Sequence, residues 1–345
     1  MHAIDPSIRL YYAVQEATSN VAAFHRPHRT SFPKPLRASR SLRQALVVDR
    51  FSIMHHHALW LPSLGYAYRG ARNSGCPLII SPRGMLAPYA RARSRCKKWL
   101  ATRLLHPGAF QGAAAWHATS EAEFRDIREA GFRQPILLSP NGVTQPTWDD
   151  ERDREAWLHR FPNLRGKRLW LFYSRWHSIK GLMPLLDVWS EIHSRHPDWH
   201  LLVCGVAEEF TLPQVVARVA KLGLTERVTV ADSRGLAKPY RLAELYALPT
   251  RSESFGLTIG ESLASGVPVI TTTEAPWEQV NERGCGVCVP FKQFSERLDA
   301  LLSWDTQRLQ AMGDIGRDWI ATNYSWEQRA AEMLQFYNTL MQGHA

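Results

Sequence analysis

Two glutamates spaced to receive hydroxyl groups lie in residues 245–273, which read as strand, loop, helix, turn and strand. Glu253 falls in the loop, and Glu261, eight positions later, falls inside a helix expected to begin near Gly256. The N-terminus of such a helix presents unpaired backbone N–H groups and a partial positive charge, so it suits a phosphate. The carboxylates would repel a phosphate and are better suited to accept hydrogen bonds from hydroxyl groups. A ligand that carries both groups is a sugar nucleotide, although two surface glutamates on a βαβ unit would show the same spacing.

The whole stretch resembles the E-x7-E signature of the retaining glycosyltransferases of family 4, which have the two-domain GT-B fold. The match covers the 29 residues from 245 to 273 and includes the runs SFGL (254–257) and LASGVPV (263–269). The resemblance implies that Glu261 accepts hydrogen bonds from two adjacent ribose hydroxyls and that Glu253 contacts the donor sugar near its reacting carbon. It further implies donor contacts from the backbone of Phe255, Gly256, Leu257 and Thr258, and from Gly205 at the end of another predicted strand.

A second match places two cations, Arg175 and Lys180, in the run FYSRWHSIKGL, after a predicted strand that ends at Ser174. The resemblance implies that both side chains neutralise the donor diphosphate. Departure of the leaving group builds negative charge on the nucleoside diphosphate, and fixed cations stabilise that charge in the transition state. Enzymes with the GT-B fold typically do this without a metal, and no D-x-D motif follows an apolar strand here. We therefore expect no metal and no cofactor, with the nucleotide sugar as a substrate; a surface Arg and Lys is the plain alternative.

The first half of the chain contributes His57, in the run MHHHALW, and Arg83, in the run SPRGML. Both runs resemble motifs of a bacterial surface-polysaccharide subgroup of the family: H-x-H-G-L-W, with Ala58 in place of Gly, and S-P-[HR]-G-M-L. His57 lies at the carboxyl end of a predicted strand, where open α/β sheets bind ligands, and is expected to face the cleft between the domains. An Arg cannot act as a base near neutral pH, because its pKa stays above about 12. Arg83 would therefore supply charge to a phosphate of the donor or the acceptor.

Two further patterns could mark a metal site or a stacking site. Three consecutive histidines invite a metal, but alternate residues of a strand point to opposite faces, so only His55 and His57 can share one. We therefore expect no metal there. Trp277 lies in the run APWE, which resembles the same subgroup. It could stack on a sugar or base of the donor, or it could be buried in the core.

Strand-like runs alternate with helical patterns along the chain, which indicates an α/β architecture with parallel sheets. We expect an N-terminal Rossmann-like acceptor-side domain over residues 1–150 and a C-terminal Rossmann-like nucleotide-sugar-binding domain over 151–323. Residues 324–345 are expected to form a helix that crosses back to the first domain. Ser120 and Glu123 predict a capping box at a helix start. The predicted strands are 52–57, 77–81, 114–119, 135–140, 168–174, 200–204, 228–231, 244–248, 267–272 and 286–289.

The start of the chain departs from the family pattern, which opens with an apolar strand, a Gly-rich loop and a long helix. Residues 1–20 show no such strand and no Gly-Gly pair, and recognisable domain sequence begins only around 33–45. We therefore expect the first β-α unit to be missing, either lost or lying upstream of the given start. A parallel sheet that lacks a strand would expose an edge. The acceptor site would be affected, because the family builds part of it from that loop.

The net charge is +10, and the run RARSRCKKW packs five cations into nine residues. Apolar residues interleave with them, so residues 91–105 predict an amphipathic helix that lies either on an anionic membrane surface or on its own domain. A nucleic-acid partner is not expected, because no nucleic-acid-binding motif accompanies the charge. The chain shows no apolar run of membrane-spanning length and no secretory signal. With five scattered cysteines, it suits a reducing cytoplasm, with the inner face of the plasma membrane as a further location.

Together these features predict a retaining glycosyltransferase of the hexosyltransferase type. It would move a sugar from a UDP- or GDP-sugar to a glycan or lipid-linked glycan, in lipopolysaccharide, capsule or exopolysaccharide synthesis. Two other classes remain open: a catalytically silent donor-binding or scaffold protein, because of the missing first unit, and a basic membrane- or nucleic-acid-binding module. Nucleotide binding and nucleotide release from the donor separate the three.

Overall fold

The computed structural model describes residues 1, 3–14, 22–31, 37–92 and 94–344. They divide into two compact units. Unit 1 comprises Met1–Asn141 and Trp326–Ala345, and unit 2 comprises Gly142–Ser325. The sequence placed the corresponding divisions at residues 150 and 323. No helix within these ranges is long and apolar enough to cross a membrane.

Strands and helices alternate along most of the chain. The strands are β1 (Leu10–Val14), β2 (His25–Arg29), β3 (Met54–His57), β4 (Leu78–Ser81), β5 (Ala115–Ala118), β6 (Ile136–Leu138), β7 (Arg168–Tyr173), β8 (Trp199–Gly205), β9 (Val228–Asp232), β10 (Leu245–Leu248), β11 (Val269–Thr272) and β12 (Gly286–Val289). The helices are α1 (Arg40–Val48), α2 (Pro62–Ser74), α3 (Pro88–Ala92), α4 (Arg95–Leu104), α5 (Glu121–Glu129), α6 (Arg152–Arg160), α7 (Leu182–Ile192), α8 (Leu212–Lys221), α9 (Leu257–Ala264), α10 (Gln279–Arg283), α11 (Phe291–Leu302), α12 (Thr306–Asn323) and α13 (Trp326–Gln342).

Every strand predicted from the sequence is confirmed, with ends that differ by no more than two residues. The predicted α/β architecture with parallel sheets is likewise confirmed, since all the strand pairs of the two larger sheets run parallel. At the start of α5, Ser120 accepts a hydrogen bond from the backbone N–H of Glu123, as a helix cap does. The carboxylate of Glu123, however, accepts from the backbone N–H groups of Thr119 and Gly84.

Unit 2 is built on a parallel sheet of six described strands in the order β12-β11-β10-β7-β8-β9. The chain proceeds from β7 outward through β8 to β9, and then from β10 outward through β11 to β12. The order therefore reverses between β7 and β10, which lie side by side. In open α/β sheets, ligands bind beyond the carboxyl ends of the strands at such a switch point.

Unit 1 contains a parallel sheet of four described strands in the order β3-β4-β5-β6. Helix α13 packs on this sheet, where Met333 and Tyr337 form a buried cluster with Ile79 and Ala115.

The expectation that residues 1–20 hold no strand is wrong, because β1 pairs in parallel with β2 in a separate sheet. A missing first β-α unit is not confirmed. The predicted start of domain sequence around 33–45 falls partly outside the described residues.

Candidate functional site

The loops after β7 and β10 meet at the switch point of unit 2 and are tied together by their backbones. Arg251 donates its backbone N–H to the carbonyl of Ile179 over 2.7 Å, and the Thr250 hydroxyl donates to the same carbonyl over 3.0 Å. Gly181 makes this approach possible. Its φ is +77°, and a Cβ there would lie 1.9 Å from the carbonyl oxygen of Pro249. A side chain at this position would therefore push the two loops apart.

Lys180 and Glu253 form an ion pair across these two loops. Each side chain is only 11% exposed. The backbone N–H of Glu253 donates to the carbonyl of Glu274 over 3.0 Å, which fixes the loop that carries the carboxylate. The structure thus brings together two residues that the sequence assigned to different parts of one ligand, the diphosphate and the sugar.

Glu261 is buried inside α9 and is held by two residues that the sequence analysis missed. Its Oε1 accepts from Lys238 Nζ over 2.5 Å, and its Oε2 accepts from the Tyr240 hydroxyl over 2.9 Å. Burial, with the neighbouring Tyr246 and Glu261, raises the pKa of Tyr240 well above its usual value, so it remains a donor. Because each carboxylate oxygen has two lone pairs, Glu261 can still accept from a ligand hydroxyl. A buried carboxylate needs partners. This requirement was the only signal in the sequence that pointed to residues such as Lys238 and Tyr240.

Arg175 extends beyond β7 and is paired with Glu208, another residue that the sequence analysis missed. Its Nη1 lies 2.7 Å and 2.6 Å from the two carboxylate oxygens of Glu208. The two side chains are 57% and 43% exposed. An ion pair this exposed contributes little stability, about 0–1 kcal/mol. An incoming anion can therefore compete for Arg175.

Helix α9 begins at the same edge of the sheet and confirms the predicted helix start. Gly256 is its N-cap with φ +82°, and no acidic residue lies in its first turn. The first N–H groups of a helix have no intrahelical acceptor, so those of Leu257 and Thr258 are available to an anion. The Thr258 hydroxyl accepts from the Tyr246 hydroxyl over 2.8 Å, and the Phe255 side chain is buried. Only the backbone of Phe255 could contribute to a site.

Two predicted donor contacts, Trp277 and Gly205, have structural roles. Trp277 is 2% exposed, and its ring packs against Phe255 and Tyr324, with centroids 5.3 Å and 5.4 Å away. It cannot stack on a ligand, and its indole N–H instead holds the carbonyl of Phe255. Gly205 has φ +150°, and a Cβ there would lie 1.7 Å from the carbonyl oxygen of Ser174. This glycine lets two strand ends approach each other, and its predicted contact with the donor stays a prediction.

In unit 1, a separate group of polar side chains, His57, Arg83 and Asn141, lies at the carboxyl ends of β3, β4 and β6. The Arg83 guanidinium donates to His57 Nδ1 from Nε and Nη2 over 3.1 Å and 3.0 Å, and to Asn141 Oδ1 over 2.7 Å. Desolvation and then the Arg83 charge lower the pKa of His57 to about 3. His57 is therefore neutral near pH 7, accepts through Nδ1 and keeps its proton on Nε2. It is a hydrogen-bond donor rather than a base.

The backbone at this place is strained. Ala58, directly after β3, has φ +78°, and Arg83, just after β4, has φ +54°. Residues other than Gly rarely adopt these φ values, and the residues that do so concentrate at ligand-binding positions. Within the described chain Arg83 has no carboxylate within ion-pairing distance. The site therefore holds a partly buried cation that has no direct ion-pair partner among the described residues, although the charge of the nearby Glu123 carboxylate favours it.

His55, His56 and His117 have structural roles. The rings of His55 and His57 stack at 4.5 Å, as their shared face predicts, while His56 bonds Ser63 on the opposite face. The His55 ring is hydrogen bonded to the Tyr337 hydroxyl through Nδ1 and to the Ser81 hydroxyl through Nε2, over 2.6 Å each. The Ser81 hydroxyl is in turn hydrogen bonded to His117 Nδ1 over 2.8 Å. This chain of hydrogen bonds satisfies buried polar atoms between the sheet and α13. In the ranges that the structure covers, no group of three or more His, Cys, Asp or Glu could hold a metal ion.

The sequence patterns of two protein families match the chain, and each covers most of one unit. Residues 6–142 match the glycosyl transferase 4-like domain. Residues 167–304 match glycosyl transferases group 1. The second match contains both predicted glutamates and both cations of the switch point.

Named relatives agree with these matches. The chain is 33% identical to a D-inositol 3-phosphate glycosyltransferase of Segniliparus rotundus, over 50% of this chain and 40% of the relative. It is 29% identical to the lipopolysaccharide core biosynthesis mannosyltransferase LpsB of Rhizobium meliloti, over 49% of this chain and 51% of the relative. The chain thus spans about half the length of these relatives, or less.

Solved structures show the fold. Sucrose-phosphate synthase of Thermosynechococcus elongatus superposes with a TM-score of 0.74 at 20% identity, over 94% of this chain and 86% of the other. HepE of Anabaena, in complex with UDP-glucose, superposes with a TM-score of 0.73 at 15% identity, over 96% of this chain and 100% of the other. The chain has the GT-B fold and belongs to the group 1 glycosyltransferases of family 4.

Proposed function

We propose that this protein transfers a sugar from a nucleoside diphosphate sugar to a hydroxyl group of a glycan or lipid-linked glycan, with retention of configuration. The observation that carries the proposal is the convergence of Arg175, Lys180, Glu253, Glu261 and the N-terminus of α9 at the switch point of unit 2. Cations and free N–H groups for phosphates lie beside carboxylates for hydroxyls. A nucleotide sugar requires this combination.

The diphosphate would replace Glu208 on Arg175 and would join Glu253 on Lys180. Glu208 is an exposed partner of Arg175 and can be displaced at small cost. Lys180 would bridge the diphosphate and Glu253, because an ammonium group has three donors. As the bond between the sugar and the diphosphate breaks, these fixed cations and the α9 N-terminus stabilise the leaving group. The chemistry then needs neither a metal nor a cofactor.

Retention of configuration follows if the acceptor hydroxyl attacks from the face on which the diphosphate leaves. Such a path needs no strong nucleophile from the protein. Glu253 would contact the donor sugar near its reacting carbon, and Glu261 would bind the ribose. In unit 1, Arg83 would supply charge to a phosphate, and the neutral His57 would donate through Nε2.

The names of the relatives support a proposal for the pathway. Names among them include a lipopolysaccharide core mannosyltransferase and a GDP-mannose:cellobiosyl-diphosphopolyprenol α-mannosyltransferase of Xanthomonas oryzae. We infer that this chain acts in the synthesis of lipopolysaccharide, capsule or exopolysaccharide, with UDP- or GDP-sugars as the donors to test first.

The experiment is a panel of UDP- and GDP-sugars, scored both by equilibrium binding and by release of the nucleoside diphosphate with a mixture of glycan acceptors. Binding followed by release supports the enzyme. Binding of UDP or GDP without release from any donor supports the silent donor-binding protein instead. Failure to bind either nucleotide contradicts the proposal.

A peripheral contact with an anionic membrane is a second proposal, and the surface of α4 favours it. Trp99, Leu100 and Leu104 are 58%, 49% and 66% exposed, so three large apolar side chains are exposed together on one short helix. The Arg103 guanidinium lies 4.8 Å from the Trp99 ring. Apolar side chains flanked by cations suit the boundary of an anionic bilayer.

A further inference from the structure

A groove of about 910 Å³ lies on the outside of unit 1, between α1 and α2. Arg40, Arg43 and Gln44 of α1 line one wall, and Arg69, Arg72 and Asn73 of α2 line the other. None of these residues belongs to the polar group around His57 and Arg83, so the groove is a separate feature.

The groove exists because the two helices touch closely at one point. Gly70 of α2 packs against α1 so tightly that a Cβ there would lie 2.2 Å from the carbonyl oxygen of Leu46. Leu46 is buried, whereas all four arginines are exposed on either side of this contact. The arginine side chains therefore flank this contact, together with the exposed Val47 and Val48 of α1.

Neither helix supplies a carboxylate to the groove, and Asp49, at the C-cap of α1, accepts from the Tyr11 hydroxyl. Neither α1 nor α2 contains an Asp or Glu. From residue 50 to residue 120 the chain has ten Lys and Arg and no Asp or Glu. The four arginines take part in none of the ion pairs that join described residues.

The arginines are also regularly spaced. Arg40 and Arg43 are three positions apart on α1, and Arg69 and Arg72 are three positions apart on α2. Residues with this spacing are neighbours on a helix surface, roughly 5–6 Å apart at Cβ. Each wall thus presents two guanidinium groups in succession, and guanidinium groups bind carboxylates and phosphates through paired N–H donors.

We propose that this groove binds a segment of an anionic glycan, a sugar chain that carries carboxylate or phosphate groups. The choice of a glycan rests on the proposed function; the anionic character rests on the groove itself. A flat bilayer does not enter a concave groove, and the apolar surface of α4 offers a better membrane contact. Single-stranded nucleic acid is disfavoured because the lining contains no aromatic side chain on which bases could stack. The groove gives the protein a preference for acidic acceptors.

The test uses the full chain and fluorescently labelled oligogalacturonate, with malto-oligosaccharide as the uncharged probe. We expect the wild type to bind oligogalacturonate, less tightly as salt rises, and not to bind malto-oligosaccharide. The R43Q/R72Q variant should bind about tenfold more weakly, because one charge-assisted contact is lost from each wall. The K97Q/R103Q variant changes the net charge of unit 1 by the same amount on α4, and should change affinity less than about twofold.

Equal losses in the two variants would show attraction by net charge alone and overturn the proposal. So would tighter binding of an oligonucleotide than of oligogalacturonate, or loss of anionic-vesicle binding in R43Q/R72Q alone. Binding of UDP and GDP is measured in the same samples and should be unchanged in R43Q/R72Q. A wild type that binds nucleotide but not oligogalacturonate refutes this inference only, whereas one that binds no nucleotide refutes the proposed function.

Discussion

Lys180 and Glu253 are 73 positions apart in the chain, yet they form an ion pair in which each side chain is 11% exposed. Two charges this buried lose much of their hydration, so removal of either one would leave the other charge buried without a partner. The pair links the loop after β7 to the loop before α9. It therefore holds, in the absence of a ligand, the two loops that the proposed function assigns to the donor.

Replacing Lys180 should weaken the binding of nucleoside diphosphates. The Lys180→Ala variant loses one charge-assisted contact, and we expect a cost of roughly 1.5–3 kcal/mol in UDP or GDP binding. Isothermal titration calorimetry measures this change in binding free energy directly. Since the variant leaves Glu253 buried without its partner, the doubly changed K180A/E253Q serves as the control for folding. Unchanged nucleotide affinity in both variants would rule out the assigned role of Lys180.

Glu208 competes with the diphosphate for Arg175, so its removal should strengthen nucleotide binding. For Glu208→Gln we expect up to about a fivefold lower dissociation constant, because an exposed pair contributes at most about 1 kcal/mol. Glu155→Gln is the matched control, since Glu155 pairs with Arg165 elsewhere in unit 2 and is similarly exposed. Weaker binding after Glu208→Gln would show that Glu208 supports the site instead.

Chelation tests the proposed metal-free chemistry. We expect sugar transfer to continue in excess EDTA, because Arg175, Lys180 and the α9 N-terminus supply the positive charge that the leaving group needs. Nucleotide release is the readout. Complete loss of release that Mn²⁺ or Mg²⁺ restores would contradict the metal-free mechanism.

The histidines of unit 1 should make the protein sensitive to acid. Burial lowers the pKa of His56 and of His117 from 6.5 to about 4, and desolvation and Arg83 lower that of His57 to about 3. Between these values and 6.5, the unfolded chain binds more protons than the folded one, so stability falls as pH falls. The stability that these histidines contribute is fully present above about pH 6.5. Melting temperature should therefore decline from pH 6.5 toward pH 4.

The control for this acid effect is the His117→Gln variant. Gln keeps a polar side chain beside Ser81 but takes up no proton, so the slope of melting temperature against pH should become shallower. A variant with the wild-type slope would show that other groups cause the acid sensitivity.

Membrane contact through α4 can be checked by flotation with vesicles that contain an anionic lipid. We expect the wild type to float, and K97Q/R103Q and Trp99→Ala to float less, because each removes part of the charged or apolar contact. Trp326→Ala is a matched control, since Trp326 is 49% exposed, close to the 58% of Trp99, but lies on α13. Equal flotation of all variants would count against this surface.

Local patterns in the sequence determined the elements of this fold. Apolar runs of strand length placed β3 to β12, and the run SFGL placed the start of α9, because backbone preferences and periodicity act within a few residues. The same stretches carried Glu253, Glu261, Arg175 and Lys180, since these residues lie at fixed offsets from the strand ends and the helix start. Their position at one edge of the sheet follows from the parallel order of the strands.

Only the tertiary structure decided which side chains meet. Glu208, Lys238 and Tyr240 are polar residues without a local pattern, and they became part of the site because folding brought them to Arg175 and Glu261. Trp277, plausible as a stacking surface, proved to be a core residue, since burial depends on how α9 and α12 pack. His55 meets Tyr337 across 282 positions of the chain. Contacts at such separations depend on the packing of whole elements, and no short run of residues encodes that packing.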